Sequence, residues 1–148
     1  MPGSESRLPV IGRLLLIDDN EVDQILYKRL IDRSGLVGEL IVMSSAQEAL
    51  GFLSSEKGRQ VDVLIVDLKM PKVNGFELID FAANDMSLPI EEILIVMLTS
   101  SQDQDDILYA QNQPLIDGYL GKPLRHDDLE NLTRLLVQKR KGVRSFLS

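Results

Sequence analysis

The sequence predicts an α/β domain with a doubly wound parallel sheet, on three observations. Short apolar runs alternate with amphipathic segments five times along the chain. The runs carry Ile, Val and Leu at almost every position, as a sheet covered on both faces requires. The residues at the far ends of these runs are chemically active types, and in open parallel sheets sites form beyond the C-terminal strand ends.

The strand candidates are Leu14–Ile17, Leu40–Met43, Val61–Val66 (interrupted by Asp62), Ile93–Leu98 and the weaker Gly118–Leu120. Between them run segments with helical period. Val22, Ile25, Leu26 and Leu30 mark a first helix, capped by Asp19 or Asn20 and stopped by Gly35. Ala46, Ala49, Leu50 and Leu53 mark a second, with Ser45 and Glu48 spaced as a capping box. Phe76, Ile79 and Ala83 give a third, and residues 104–110 a shorter fourth. Leu129, Leu132, Leu135 and Leu136 give a fifth, with Asp127 and Asp128 at its start and Lys139–Lys141 at its end.

The alternation spans residues 13–141, leaving 1–12 as an N-terminal extension and 142–148 as a tail, with no second domain expected. A chain of 148 residues with 44% hydrophobic and 26% charged residues has the composition of one soluble core. The absence of cysteine excludes disulfides, thiolate nucleophiles and iron–sulfur clusters. A net charge of −7 argues against nucleic acid as a partner. No apolar run approaches the roughly 18 residues needed to cross a bilayer, and no signal peptide is read, so membrane insertion is not expected and a cytoplasmic location is.

Directly after the strand candidates stand Asp18-Asp19, then Asp67, then Thr99-Ser100-Ser101, then Lys122-Pro123. Each piece alone has a plain structural use. Asp18-Asp19 can cap a helix, Thr99 can close a strand, and Lys122 can be solvated surface. Four such pieces at four strand ends are harder to obtain by chance. Three converging carboxylates repel one another and need a cation, and an all-oxygen set suits Mg²⁺ or Mn²⁺. Asp67 can then attack phosphorus, Thr99 hydrogen-bond a phosphoryl oxygen, and Lys122 pair with another. With no histidine and no general base in the set, the chemistry has to rest on positioning and electrostatics.

These residues resemble the receiver domain of two-component response regulators over residues 13–138. The matching motifs are Leu14-Leu15-Leu16-Ile17-Asp18-Asp19, Leu64-Ile65-Val66-Asp67-Leu68-Lys69-Met70-Pro71, Asn74-Gly75, Leu98-Thr99-Ser100 and Gly118-Tyr119-Leu120-Gly121-Lys122-Pro123, in the family's order. The resemblance implies a flavodoxin-like (βα)5 fold with a five-stranded parallel sheet of order 2-1-3-4-5. It implies Asp67 as phosphoacceptor, with Asp18, Asp19, Asp67 and the carbonyl of Lys69 as Mg²⁺ ligands. It implies Thr99 and Lys122 as phosphoryl contacts, Tyr119 as the switch aromatic, and a cis bond before Pro123. Lys69 and Ser101 stand where side chains tune phosphoryl lifetime. The implied partner is a sensor histidine kinase or a histidine phosphotransfer protein, and the implied function a single-domain regulator whose output is a protein contact.

Two other functions compete. A phosphohydrolase working through an aspartyl phosphate needs an acid two residues after the nucleophile, where this sequence has Lys69. A scaffold that is never phosphorylated has no use for the full acidic set. Several residues sit outside these motifs. His126 is expected on the surface, and Lys139, Arg140, Lys141 and Arg144 as a solvated basic end. Asn112–Asp117, with Pro114, leaves the end of the fourth helix undefined. Phe146 and Leu147 either pack back, join a homodimer contact or stay disordered.

Overall fold

The structure, a computed structural model, describes residues 10–100 and 103–147. Its five strands are β1 (Ile11–Ile17), β2 (Val37–Met43), β3 (Val63–Asp67), β4 (Leu94–Thr99) and β5 (Gly118–Gly121). They pair in parallel in the order β2-β1-β3-β4-β5, as the resemblance implied. Strand period 2 sends alternate side chains to opposite faces. Leu15, Ile17, Leu64, Val66, Ile95 and Met97 enter one core, and Leu14, Leu16, Val63, Ile65, Leu94 and Val96 the other. Such two-sided burial is why the strands read as continuous apolar runs.

Every strand differs from the sequence reading at one end or both: β2 begins at Val37 rather than Leu40, β4 runs Leu94–Thr99 rather than Ile93–Leu98, and β5 reaches Gly121, while β1 and β3 shift at their starts. β1 begins at Ile11, which is fully buried and pairs with Val37, so the domain starts before residue 13. β3 begins at Val63. Asp62, which breaks the apolar run, still bonds Arg13 and Leu94 through its backbone, and its carboxylate accepts the Arg13 amide (2.9 Å) and pairs with Arg140.

The helices are α1 (Glu21–Ser34), α2 (Ala46–Leu53), α3 (Gly75–Asp80), α4 (Gln104–Gln111) and α5 (His126–Arg140). Asn20 caps α1 by accepting the Asp23 amide, and Gly35 ends it at φ 71°. Ser45 caps α2 by accepting the Glu48 amide, while the Glu48 carboxylate accepts the Ser44 amide (3.2 Å) and the Ser45 hydroxyl (3.3 Å) rather than the Ser45 amide of a full capping box. Asn74 and Glu77 form a full capping box on α3. α3 then widens into a π-helical turn over Phe81–Asp85. α2, α3 and α4 cover the first core, α1 and α5 the second.

The buried face of α1 is a correction. Val22, Ile25 and Leu26 are exposed, at 65%, 54% and 51%, and only Leu30 of the expected stripe packs against the core. The buried residues are Tyr27 and Ile31. Counting aliphatic positions overlooked polar anchors. Asp23 and Gln24 are held at the sheet's C-terminal edge, by Lys122 and by the Asp18 carbonyl, and this turns the helix so that Tyr27 faces inward.

α4 ends at Gln111, and the segment that left its end undefined is ordered, with Ile116 and Asp117 buried. His126 is exposed, as expected. The basic end is not wholly solvated. Lys139 donates to Asp117 (2.8 Å), and Arg144 donates to the carbonyls of Gln113 and Ile116 (both 3.1 Å). The tail packs back: Leu147 bridges β5 at Gly118, receives the Tyr119 amide (2.7 Å) and donates to the Asp117 carbonyl (2.9 Å). A Cβ at Gly118 would come within 2.9 Å of the Leu147 carbonyl, so glycine there is what lets the tail close the β5 edge. Ser101 lies outside the described residues, as do residues 1–9 of the expected extension.

Candidate phosphoryl-acceptor site

Asp18 is the residue after β1, Asp67 ends β3, Thr99 ends β4 and Lys122 comes directly after β5. The β3–β4 register sets Asp67 beside Leu98, and the β4–β5 register sets Thr99 beside Gly121. One edge of the sheet therefore collects all four, as the order of motifs predicted. Thr99 is fully buried, and its carbonyl accepts the Lys122 amide (2.8 Å), which ties the two strand ends together.

The carboxylates of Asp18, Asp19 and Asp67 offer oxygens that all lie within 4.8 Å of one another. Asp18 is 0% exposed and Asp67 4%, while Asp19 faces solvent at the mouth. Asp18 Oδ1 accepts the Asn20 amide (2.9 Å), and Asp67 Oδ1 accepts the Lys69 amide (3.2 Å). The Lys122 ammonium reaches into the group, 3.2 Å from Asp18 Oδ2 and 3.4 Å from Asp67 Oδ2. Its shortest contact is a fourth carboxylate, Asp23 Oδ2 at 2.8 Å.

One ammonium does not neutralise this set. Burial, reinforced by the Asp18 charge and the Asp19 carboxyl and only partly offset by Lys122, pushes the Asp67 carboxyl up to about 7. Burial also works against the charged form of Lys122, but Asp23, Asp67 and Asp18 outweigh it and hold the ammonium above the usual lysine range. Asp18 Oδ2 is buried and accepts no hydrogen bond. A buried oxygen met only by an ammonium that it shares with two other carboxylates, beside a carboxyl whose ionisation burial opposes, marks a place short of positive charge. Hard oxygen donors in this number fit Mg²⁺ or Mn²⁺.

Of the other predicted residues, Tyr119 is buried at 4% exposure, in the core under α2, α3 and α4. The Lys122-Pro123 bond is cis. The Lys69 side chain extends away from the carboxylates, with its ammonium 3.5 Å from Asp106 on α4.

With this geometry in view, the comparisons with known proteins are decisive. The sequence model of the response regulator receiver domain matches residues 14–134. The chain belongs to that family. It is 30% identical over 129 residues to a two-component response regulator, ORR1, of Oryza sativa subsp. indica, covering 84% of this chain and 54% of that protein. The chain thus spans about half the length of that rice relative. It is 27% identical over 146 residues to response regulator Rcp1 of Synechocystis sp., covering 96% of this chain and 91% of that one. A two-component response regulator from Cytophaga hutchinsonii has a crystal structure that superposes with a TM-score of 0.80 at 29% identity, covering 86% of this receiver and 98% of that chain.

Sequence reasoning missed Asp23. The signal was present: an acidic residue four positions after Asp19, at the third position of α1, where a carboxylate favours the helix dipole. That ordinary use concealed its second partner, which lies 99 residues away in sequence.

Proposed function

We propose that this chain is a single-domain response regulator that takes a phosphoryl group onto Asp67 and thereby changes a protein-binding surface. The observation that carries the reading is the buried Asp67 carboxylate in an acidic group short of positive charge, with one ammonium in reach. Asp67 Oδ attacks phosphorus, the bond from phosphorus to the donor's imidazole nitrogen breaks, and the electron pair leaves with that nitrogen. Asp18, Asp19, Asp67 and the Lys69 carbonyl would hold Mg²⁺, which when bound offsets the charge on the group in transfer.

Lys122, already within 3.4 Å of Asp67, pairs with one phosphoryl oxygen, and Thr99 takes another as a hydrogen-bond donor. Tyr119, buried two strands from Asp67 with β4 between them, passes the change to the surface of α4, β5 and α5. The donor is a histidine kinase or a histidine phosphotransfer protein of the cytoplasm. The exposed Val22, Ile25 and Leu26 begin at the pocket mouth and give such a donor an apolar surface to dock on. The reading of a phosphohydrolase gains nothing from the structure, since Lys69 turns to Asp106 and offers no acid to a leaving group.

The test is incubation with phosphoramidate or acetyl phosphate, with and without Mg²⁺, on the wild type and Asp67→Asn. One hydroxylamine-labile phosphoryl group, dependent on Mg²⁺ and lost in Asp67→Asn, is the expected result. Absence of uptake together with absence of Mg²⁺ binding in the wild type would overturn the reading in favour of an unphosphorylated scaffold.

A further inference from the structure

The Lys122 ammonium could rest on any of three carboxylates, and it lies closest to the one farthest from the chemistry. It stands 2.8 Å from Asp23 Oδ2, against 3.2 Å from Asp18 and 3.4 Å from Asp67. Asp23 is well placed to hold it. Its backbone is fixed by the Asn20 cap, and its side chain, 25% exposed, sits at the pocket mouth. One turn on, Tyr27 is buried against the second core, and next in sequence Gln24 is bound to the Asp18 carbonyl and Ser44. These neighbours prevent α1 from rolling away, so the Asp23 carboxylate is a fixed post and not a drifting surface charge.

We propose that Asp23 is a positioning residue that draws the Lys122 ammonium to the α1 side and keeps it from closing on the nucleophilic oxygen of Asp67. This rests on the reading of Asp67 as phosphoacceptor. Without Asp23, the nearest anions for Lys122 are Asp67 and Asp18. An ammonium seated on them takes the lone pairs that must meet phosphorus and a divalent cation. With Asp23 in place, the ammonium waits within an ångström of both positions and moves to the phosphoryl group when its charge arrives. A helix outside the strand-end motifs thus regulates the availability of the nucleophile through one shared proton donor.

The test is a double-mutant cycle between Asp23→Asn and Lys122→Met in the full chain, with Asp23→Glu as the conservative variant. Asn keeps a polar group of the same size, and the cap on α1 uses only the backbone amide of Asp23. Two quantities are read. One is the nitrogen-15 resonance of the Lys122 ammonium in metal-free protein, identified by its loss in Lys122→Met. The other is the rate of phosphoryl uptake from phosphoramidate at saturating Mg²⁺.

In Asp23→Asn we expect the Lys122 resonance to shift or broaden and uptake to slow by roughly threefold to tenfold, in the lower part of the range of couplings between residues in direct contact. Asp23→Glu should restore both. In the Lys122→Met background, Asp23→Asn should change the uptake rate no further. An equal slowing in both backgrounds would show that Asp23 acts by its field alone, and an unmoved Lys122 resonance would show that it anchors nothing. Either sinks the proposal. If the wild type neither takes up a phosphoryl group nor binds Mg²⁺, the receiver reading fails by itself, and the metal-free resonance still decides whether Asp23 holds Lys122.

Discussion

The two ends of β5 carry the same pair of residue types in opposite conditions. Before the strand, Asp117 is 2% exposed and meets one lysine, Lys139, at 2.8 Å. Its Oδ2 also accepts the Ile95 amide (2.9 Å), and Lys139 makes a further bond to the Ile93 carbonyl (2.7 Å). Charge is balanced one to one, and hydrogen bonds complete the pair. After the strand, Lys122 faces Asp18, Asp23 and Asp67 at once, and Asp18 Oδ2 is left without a hydrogen bond. The first arrangement closes a fold. The second leaves carboxylates in excess of cations, and on the proposed reading that imbalance is what a cation and a phosphoryl group would answer.

The contrast breaks most visibly at the closed end. Asp117→Ala leaves Lys139, only 21% exposed, without its carboxylate, and frees the Ile95 amide. A loss of about 3 kcal/mol is expected, at the low end for a broken buried pair because Lys139 keeps some solvent. Urea denaturation measures it. Adding Lys139→Met should recover a large part of that loss, since an apolar residue there needs no partner. A loss below about 1 kcal/mol for Asp117→Ala would mean the pair contributes little and the comparison with the pocket is empty.

At the open end the sign reverses. The folded protein holds the Asp67 carboxyl at about 7, above the ordinary value of 3.8 that the unfolded chain has. A raised folded-state value means a stability advantage present below the unfolded value and lost as pH rises through the folded one. In EDTA, the wild type should therefore lose stability between about pH 4 and pH 7 from this group. Asp67→Asn, neutral throughout, should be the more stable protein at pH 8, by on the order of 2 kcal/mol. That is about half of what three pK units would carry, since the amide also gives up the attraction of Lys122. Below pH 4 the two should unfold together. Thermal melts at both pH values check this, and a variant less stable than wild type at pH 8 would show that Asp67 is adequately compensated.

How much of this was legible in the sequence depended on the range of the signal. The sheet and the four strand-end residues could be read because each is announced locally, by an apolar run and the polar residues at its end. Asp18, Asp67, Thr99 and Lys122 needed only the rule that parallel strands end at one edge. Asp117 and Asp23 could not be read in this way. Each looked like an ordinary loop or helix-start carboxylate, and its partner lies 22 or 99 residues distant. The tail was equally opaque, because its bonds to Asp117 and Tyr119 are backbone bonds that no side chain encodes. The face of α1 was misread for a related reason. Aliphatic period assigned Val22, Ile25 and Leu26 inward, while polar contacts at Asp23 and Gln24 had the stronger hold.

That misreading gives the gentlest prediction and the one that bears on the partner. A stripe of Val22, Ile25 and Leu26 exposed beside the open end of the sheet contributes little to the core, so Val22→Ser with Leu26→Ser should change stability by no more than about 0.5 kcal/mol per substitution. Uptake from phosphoramidate, which needs no docking surface, should be unchanged. Transfer from the phosphorylated histidine protein that loads the wild type fastest should slow by about tenfold or less, through weaker association. Equal rates from that protein to the wild type and the double variant would place the donor elsewhere on the rim. A large fall in stability would instead mean that these side chains pack inward in solution, and that aliphatic period had read the helix correctly after all.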